Sequence, residues 1–162
     1  MIITDVYDAL YALIKAVQVP ATTPYQLDTK ALVIPCYSLD GPRDKWGAQL
    51  KSSGDNERMH AWFFTQTDSL QKEHRNRGGQ LYAEWVITLY GYLEKQEGTF
   101  TSNSDRTFQL EANALELALN ADPTTLATVL RSMRPFKLSR DIDFIAGKSV
   151  HVAVGDIIVK SC

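Results

Sequence analysis

LYAEWVITLYGYL, residues 81–93, is the stretch that decides the fold of this 162-residue chain. Its odd positions from Leu81 to Leu93 are apolar, with Gly91 as the exception, while tyrosine, glutamate and threonine fill most of the even ones. A period of two is the repeat of a β-strand, in which successive side chains point to opposite faces. The stretch therefore predicts one long, half-buried strand, and such alternation favours an antiparallel or mixed sheet.

The segments before this strand predict a helix and a short edge strand. The helix has one apolar stripe, formed by Val6, Leu10, Leu13, Ile14 and Val17. Thr4 is a suitable N-cap for it, and Pro20 ends the pattern. The apolar run 31–37 contains Pro35, which lacks the N–H that a central strand donates. This run therefore predicts a strand at a sheet edge.

The segments after residue 93 predict two helices and then two strands. The first helix begins at residues 103–105, which can cap it, and its apolar stripe consists of Phe108, Ala112, Leu115 and Leu119. Asp122-Pro123 predicts the start of the other helix, which runs to residue 133. Strands are predicted over 136–145 and 150–159, and Gly155 predicts a bulge in the last one.

The predicted elements fit one domain that spans residues 1–162. Helix, strand, long strand, two helices and two strands in this order are typical of the α+β class. We expect a small mixed or antiparallel sheet with helices packed on one face.

Residues 38–80 are predominantly polar and predict a long extended loop, or arm, that projects from the domain and contains at most a short strand near Trp62. Three consecutive aromatic residues interrupt it, Trp62, Phe63 and Phe64. If they are exposed they form an apolar contact surface; the alternative is that they complete the core of the domain itself. We expect that residues 43–79 can be deleted without unfolding the sheet.

Composition points away from several classes of function. The net charge is −2, so nothing in the totals requires nucleic acid or a membrane as partner. The cysteines, Cys36 and Cys162, are too few for a disulfide scaffold and are expected to be free thiols. The N-terminus lacks the basic flank and cleavage site of a signal peptide, and no apolar run is long enough for a membrane span. We expect synthesis in a cytoplasm.

No motif of catalysis or metal binding is present. His60, His74 and His151 are far apart in the sequence and lie outside the spacings of zinc sites, and no phosphate-binding glycine loop occurs. The Asp141–Asp143 pair is expected to be the solvated end of a hairpin. We therefore predict no catalytic residue, no metal and no cofactor.

The order of elements resembles that of the tail-terminator, or tail-completion, proteins of long-tailed phages of the lambda-like kind. The matching parts are an amphipathic helix (6–17), a strand with proline (32–37), a long alternating strand (81–89), a helical region (108–131) and a closing hairpin (139–158). The resemblance spans nearly the whole chain as a pattern, and the long segment 38–80 departs from it.

The resemblance implies a structural protein of the virion tail or neck. Members form a hexameric ring that caps the tail tube, ends its polymerisation and provides the surface that joins the head. The implied partners are other copies of the chain, the tail tube protein and a head-completion or neck protein. DNA passes through the lumen without sequence-specific binding, which the near-neutral charge suits.

Contacts with these partners are expected at the exposed side of the 81–93 strand and on the arm, because tyrosine and tryptophan are enriched at interfaces. The candidate interface residues are Trp62, Phe63, Phe64, Lys72, Arg75, Arg77, Tyr82, Tyr90 and Tyr92.

Other functions remain open at this point. The chain could be a head-completion or neck adaptor, or a non-viral α+β module that binds proteins. A small enzyme such as a hydrolase would be favoured by a pocket that joins His60 or His74 to a carboxylate. A nucleic-acid-binding module would use Arg75 and Arg77 and would show steep salt dependence.

Overall fold

A computed structural model describes residues 3–35, 37–66, 72–75, 81–100, 102–121, 130–132 and 135–161. Within these ranges, only the backbone is described for residues 3–5, 66, 72–75, 81–84, 130–132 and 159–161. In the described part of the chain no helix combines the length and the apolar character that crossing a membrane requires.

Two long helices and two single-turn helices occur in these ranges. The helices are α1 (Ile3–Lys15), α2 (Leu27–Lys30), α3 (Trp46–Gln49) and α4 (Ser104–Asn120). The strands are β1 (Gln18–Val19), β2 (Tyr25–Gln26), β3 (Leu32–Pro35), β4 (Lys51–Ser52), β5 (Arg58–Gln66), β6 (Lys72–Arg75), β7 (Leu81–Glu94), β8 (Leu130–Ser132), β9 (Ser139–Ile145) and β10 (Lys148–Ser161).

Eight of the described strands form one mixed sheet around β7. The order across it is β3-β5-β7-β10, with β9 and β8 both pairing on the far side of β10. β7 and β10 pair antiparallel along eleven residues, from Glu84 opposite Lys160 to Glu94 opposite Val150. β3 runs parallel to β5, which makes the sheet mixed. The α+β class and the mixed sheet predicted from the sequence are confirmed.

The two long helices pack on one face of the sheet, which we call the helix face. It consists of Trp62 and Phe64 of β5, the odd-numbered residues 85–93 of β7 and the odd-numbered residues 151–157 of β10. Val6, Leu10 and Ile14 of α1 and Phe108, Ala112, Leu115 and Leu119 of α4 are buried against it. The apolar stripes of both helices therefore form as predicted.

The opposite face, the loop face, is covered by the segment 37–50, a loop that contains the single-turn helix α3. Its core consists of Leu50, Met59, Ala61, Phe63, Tyr92, Ile145 and Val150. Phe63 stacks on the rings of Tyr90 and Tyr92, with centroids 5.2 and 5.7 Å apart. Arg43, in the covering segment, forms an ion pair with Asp143 of β9.

The arm predicted over residues 38–80 is wrong for its central part. Residues 58–66 are β5, an internal strand between β3 and β7. Trp62 and Phe64 are fully buried, so the alternative, that the aromatic residues complete the core, is correct. The short strand expected near Trp62 is therefore a nine-residue strand inside the sheet, and polar residues at both ends of RMHAWFFTQ concealed its length. A deletion of residues 43–79 would remove it, so the deletion is no longer expected to be tolerated.

Two smaller predictions are wrong where the described residues test them. The helix predicted over 122–133 has residues 130–132 in strand β8; residues 122–129 and 133 lie outside the described residues. Gly155 makes no bulge, because it pairs in register with Leu89. Its small size has another reason: a Cβ there would lie 2.7 Å from the Lys137 carbonyl oxygen and 2.8 Å from the ring of Phe136.

The remaining elements lie close to their predicted ranges. α1 spans 3–15, so it begins ahead of Thr4, the predicted N-cap. α4 begins at Ser104, and the side chain of Asn103 caps it by accepting a hydrogen bond from the Arg106 N–H. β9 and β10 are joined by a two-residue turn at Ala146-Gly147, whose positive φ angles of 53° and 80° match a type I′ hairpin.

Candidate functional site

A cavity of about 280 Å³ opens between the start of α4 and the end of the sheet. Three segments supply most of its wall: residues 21–25 around the β1–β2 turn, residues 55–60 leading into β5, and residues 102–107 at the N-terminus of α4. Its inner wall is polar, because His60 of β5 lines it and is held by two carboxylates, those of Asp55 and the buried Glu111.

His60 is bound by a carboxylate at each ring nitrogen. Nδ1 lies 2.9 Å from Oδ2 of Asp55. Nε2 lies 2.7 and 2.9 Å from the two carboxylate oxygens of Glu111. Carboxylates only accept hydrogen bonds when ionised, so both ring nitrogens act as donors and the ring is an imidazolium. The side chain of His60 is 1% exposed and that of Glu111 is fully buried.

Glu111 connects α4 to three side chains on two other elements. Besides His60, it accepts a hydrogen bond from the indole N–H of Trp62, at 2.8 Å, and a short one from the hydroxyl of Tyr25 in β2. Asp55 is held in turn by Arg58 at 2.5 Å. We call Tyr25, Asp55, Arg58, His60, Trp62 and Glu111 the Glu111 cluster. It links α4, the β1–β2 hairpin and β5 in one network.

The pKa values follow from this arrangement. Burial alone lowers the pKa of His60, but the charge of Glu111 and hydrogen bonds to Asp55 and Glu111 raise it to about 9. Burial acts to raise the pKa of Asp55, yet its hydrogen bonds with His60 and Arg58 leave that pKa below the usual value. Burial and the neighbouring Glu111 raise the pKa of the Tyr25 hydroxyl. The cluster thus contains two cations and two anions.

This arrangement does not suit His60 for general-base catalysis. A base needs one ring nitrogen with a free lone pair within reach of the substrate, whereas both nitrogens of His60 carry protons that are donated to carboxylates. The cluster does suit the fixing of α4 on the sheet, since each charge is paired and hydrogen-bonded.

A second histidine, His151 of β10, lies beside the start of α4. Its Nε2 is 3.1 Å from both the Ser104 hydroxyl and a carboxylate oxygen of Asp105. In a catalytic triad the serine and the aspartate contact opposite nitrogens of the ring. Here they share one, and Ser104 is engaged with the backbone of Gln96. Burial holds the pKa of His151 below its usual value, against the opposing charge of Asp105.

The candidate interface residues are dispersed rather than gathered on one surface. Trp62 and Phe64 are buried on the helix face and Phe63 on the loop face, so none of the three is an exposed contact in this chain. Tyr92 is 7% exposed, whereas Tyr90 is half-buried.

For the other predicted contact residues, the structure describes either the backbone alone or nothing. Lys72 and Arg75 lie in β6, and Tyr82 lies in β7, with side chains that are not described. Arg77 lies outside the described residues. These four residues stay predictions.

Sequence reasoning missed Glu111, although a signal was present. Glu111 lies three residues after Phe108 and four before Leu115, which places it on the apolar stripe of α4. A carboxylate at such a position must have a buried partner, because an unpaired buried charge is very costly. That partner, His60, is 51 positions away in the sequence.

A candidate contact surface lies on edge strand β9. Arg140, Ile142 and Phe144 alternate along it on the same side and are all exposed, Ile142 by 53% and Phe144 by 66%. We call these three residues the β9 stripe. Phe100, 86% exposed, lies in the loop that follows β7 at the same end of the sheet as Phe144.

In the part of the chain that the structure describes, no three histidine, cysteine, aspartate or glutamate side chains are grouped as a metal site would require. No protein-family model matches the sequence, and no curated protein matches it at a significant level.

Proposed function

We propose that this protein is a structural virion protein of the tail-terminator type. In this role it assembles into a ring that caps the phage tail tube and provides the surface for head joining. The observation that best supports the proposal is the β9 stripe, in which two large apolar side chains on a sheet edge, Ile142 and Phe144, are each more than half exposed. Contiguous exposed apolar groups mark contact surfaces.

The architecture agrees with this role. A helix, an edge strand with proline, a long strand, a helix and a closing hairpin occur in the order that the resemblance implies, and both long helices lie on one sheet face. The net charge of −2 suits a lumen through which DNA moves, because a protein that neutralised many phosphates would hold it.

A hydrolase is the second candidate, because the structure contains a pocket that joins His60 to carboxylates. The pairing of both ring nitrogens argues against it. Assay of the purified protein with activated ester and phosphoester substrates would test this directly. Turnover that disappears in His60→Gln while the protein stays folded would favour the enzyme over the assembly protein.

The proposal is tested by light scattering of the purified protein, alone and with isolated tail tubes. A single chain has a mass of 18.2 kDa. We expect a mass that is a small multiple of this value, in free solution or at tube ends, and tubes that no longer elongate. A protein that stays monomeric and ignores tubes overturns the proposal. Binding to the portal side of heads instead would identify a neck adaptor.

A further inference from the structure

β9 lies at an edge of the sheet and has the properties of a strand that recruits another one. Among the described strands it pairs only with β10. It is seven residues long, and Ile142 and Phe144 on it are more than half exposed. The opposite edge strand, β3, has four residues and ends at Pro35, which has no N–H to donate. Long apolar edges are the ones that pair with other chains, so β9 is the edge that must be closed.

The hydrogen bonds of the β9–β10 hairpin determine which backbone groups of β9 point outward. A two-residue turn joins the strands, and Ile145 lies opposite Lys148. In such a hairpin the two residues that flank the turn exchange both backbone hydrogen bonds, and every second pair repeats this exchange. Residues 141, 143 and 145 therefore bond to β10, whereas the N–H and C=O groups of residues 140, 142 and 144 point away from it. A new strand would have to pair with these outward groups.

Two of the three outward N–H groups are already occupied. The N–H of Ile142 donates to Oδ1 of Asp141, at 2.7 Å, and the N–H of Phe144 donates to Oδ1 of Asp143, at 2.8 Å. The other carboxylate oxygen of Asp143, Oδ2, pairs with Arg43 of the covering segment, which fixes the direction of this side chain. Hydrogen bonds to an ionised carboxylate are roughly twice as strong as those between neutral groups. The carbonyl oxygen of an incoming strand therefore competes poorly for these donors.

We infer that Asp141 and Asp143, which we call the β9 caps, close the backbone of β9 to the addition of another strand. In antiparallel pairing each outward residue exchanges two hydrogen bonds with its partner, and the β9 caps leave Ile142 and Phe144 with only their carbonyl oxygens. Charge acts in the same direction when a second copy approaches. If two β9 strands paired antiparallel about residue 142, Asp141 would lie opposite Asp143 of the second copy, and like charges directly opposite are destabilising.

The β9 caps determine how this edge can be used. They close its backbone but leave the side chains of the β9 stripe exposed. A partner of the β9 stripe must therefore contact side chains and cannot extend the sheet. Such a contact is limited to one partner, whereas backbone pairing between copies of one chain can repeat into fibres. This inference goes beyond the proposed function and does not depend on it.

The first test removes the β9 caps and follows association by sedimentation velocity and infrared spectroscopy. Asp141→Ala/Asp143→Ala loses both acceptors, and Asp141→Asn/Asp143→Asn keeps an oxygen acceptor at each position without the charge. We expect the alanine variant to form larger oligomers, with an intermolecular β-sheet band, at a concentration about tenfold or more below that of the wild type. The asparagine variant should behave as the wild type.

The matched control is Asp8→Ala/Asp28→Ala. It removes two exposed carboxylates from α1 and α2, which pack beside β3. This control should associate no more than the wild type. An alanine variant of the β9 caps that associates no more than the control overturns the inference. Equal association of the alanine and asparagine variants overturns it as well, because charge alone would then keep the copies apart.

The second test observes the β9 caps by NMR in the wild-type protein and needs no variant. An N–H that donates to a carboxylate changes its proton chemical shift when that carboxylate is protonated, because the charged acceptor becomes neutral. We expect large shifts of the amide protons of Ile142 and Phe144 on acidification. The outward N–H of Arg140 is the internal control, because it follows a serine instead of an aspartate. Equally small changes at all three positions overturn the inference.

Discussion

The two faces of the sheet are covered in different ways. On the helix face, regular amphipathic helices cover Trp62 and Phe64, and the Glu111 cluster is buried between α4 and the sheet. On the loop face, the segment 37–50 covers stacked aromatic rings, and the ion pairs Arg43–Asp143 and Lys148–Glu94 each include a half-exposed cation. The helix face encloses a complete charge network around the fully buried Glu111, whereas each ion pair of the loop face is open to water on at least one side.

The difference teaches where the stability of this fold is vulnerable. Buried charges are tolerated only as complete networks, so loss of one member of the Glu111 cluster exposes the others to an apolar environment without a partner. An exposed pair has water as an alternative partner, so its loss costs little. The following predictions compare the faces on this basis.

The largest effect is expected for Glu111→Ala. This change leaves the imidazolium of His60, the indole N–H of Trp62 and the hydroxyl of Tyr25 without their acceptor. The free energy of unfolding should fall by about 3–5 kcal/mol, measured by urea denaturation. The exposed Glu97→Ala serves as the control and should change it by less than about 0.5 kcal/mol. A loss below about 1 kcal/mol for Glu111→Ala would show that the cluster is not a unit.

The next effect is a dependence of stability on pH. The pKa of His60 is about 9 in the folded protein, above the usual histidine value of 6.5. The folded state therefore holds this proton more tightly. The proton on His60 therefore adds on the order of 3 kcal/mol to the free energy of unfolding. This contribution is complete below pH 6.5 and is lost as the pH rises toward 9.

Variants of the two histidines isolate this effect. His60→Gln should flatten the decrease in the free energy of unfolding between pH 6.5 and 9, whereas His151→Gln should retain it, because the pKa of His151 is lowered and this residue is already neutral in that range. An unchanged slope in His60→Gln would assign the proton to another group.

A smaller loss is expected for Gly91→Ala, also on the helix face. A Cβ at this position would lie 2.4 Å from the ring of Trp62, which must then move within a packed core. The cost should be about 1–3 kcal/mol by thermal or urea unfolding. In a Trp62→Leu background the same substitution should cost much less, and equal costs in the two backgrounds would contradict the steric explanation.

The smallest effect is expected on the loop face, for Arg43→Ala. The side chains of Arg43 and Asp143 are 50% and 40% exposed, so water replaces the lost partner. The free energy of unfolding should change by less than about 1 kcal/mol, close to the effect of Arg106→Ala at an exposed position of α4. A loss above about 2 kcal/mol would show that the pair, rather than aromatic stacking, holds the covering segment.

Local patterns predicted much of the fold. The alternation of residues 81–93 and the stripes of α1 and α4 identified their elements, because each pattern repeats with the period of the structure it forms. For β5 only a short strand near Trp62 in a projecting arm was expected, because its sequence begins with Arg58, Met59 and His60 and lies among polar segments. His60 can lie in the core on this strand because Glu111 and Asp55 pair with its ring nitrogens.

The sequence by itself determined the class of this protein: the long strand, the amphipathic helices that cover one face, and the hairpin that closes the sheet. These follow from backbone geometry and from side chains within a few positions of each other. Only the tertiary structure decided which residues form the Glu111 cluster and which apolar residues stay exposed on β9. Both depend on contacts between distant segments, and neither the partner of a buried charge nor the cover of an apolar side chain is a local property.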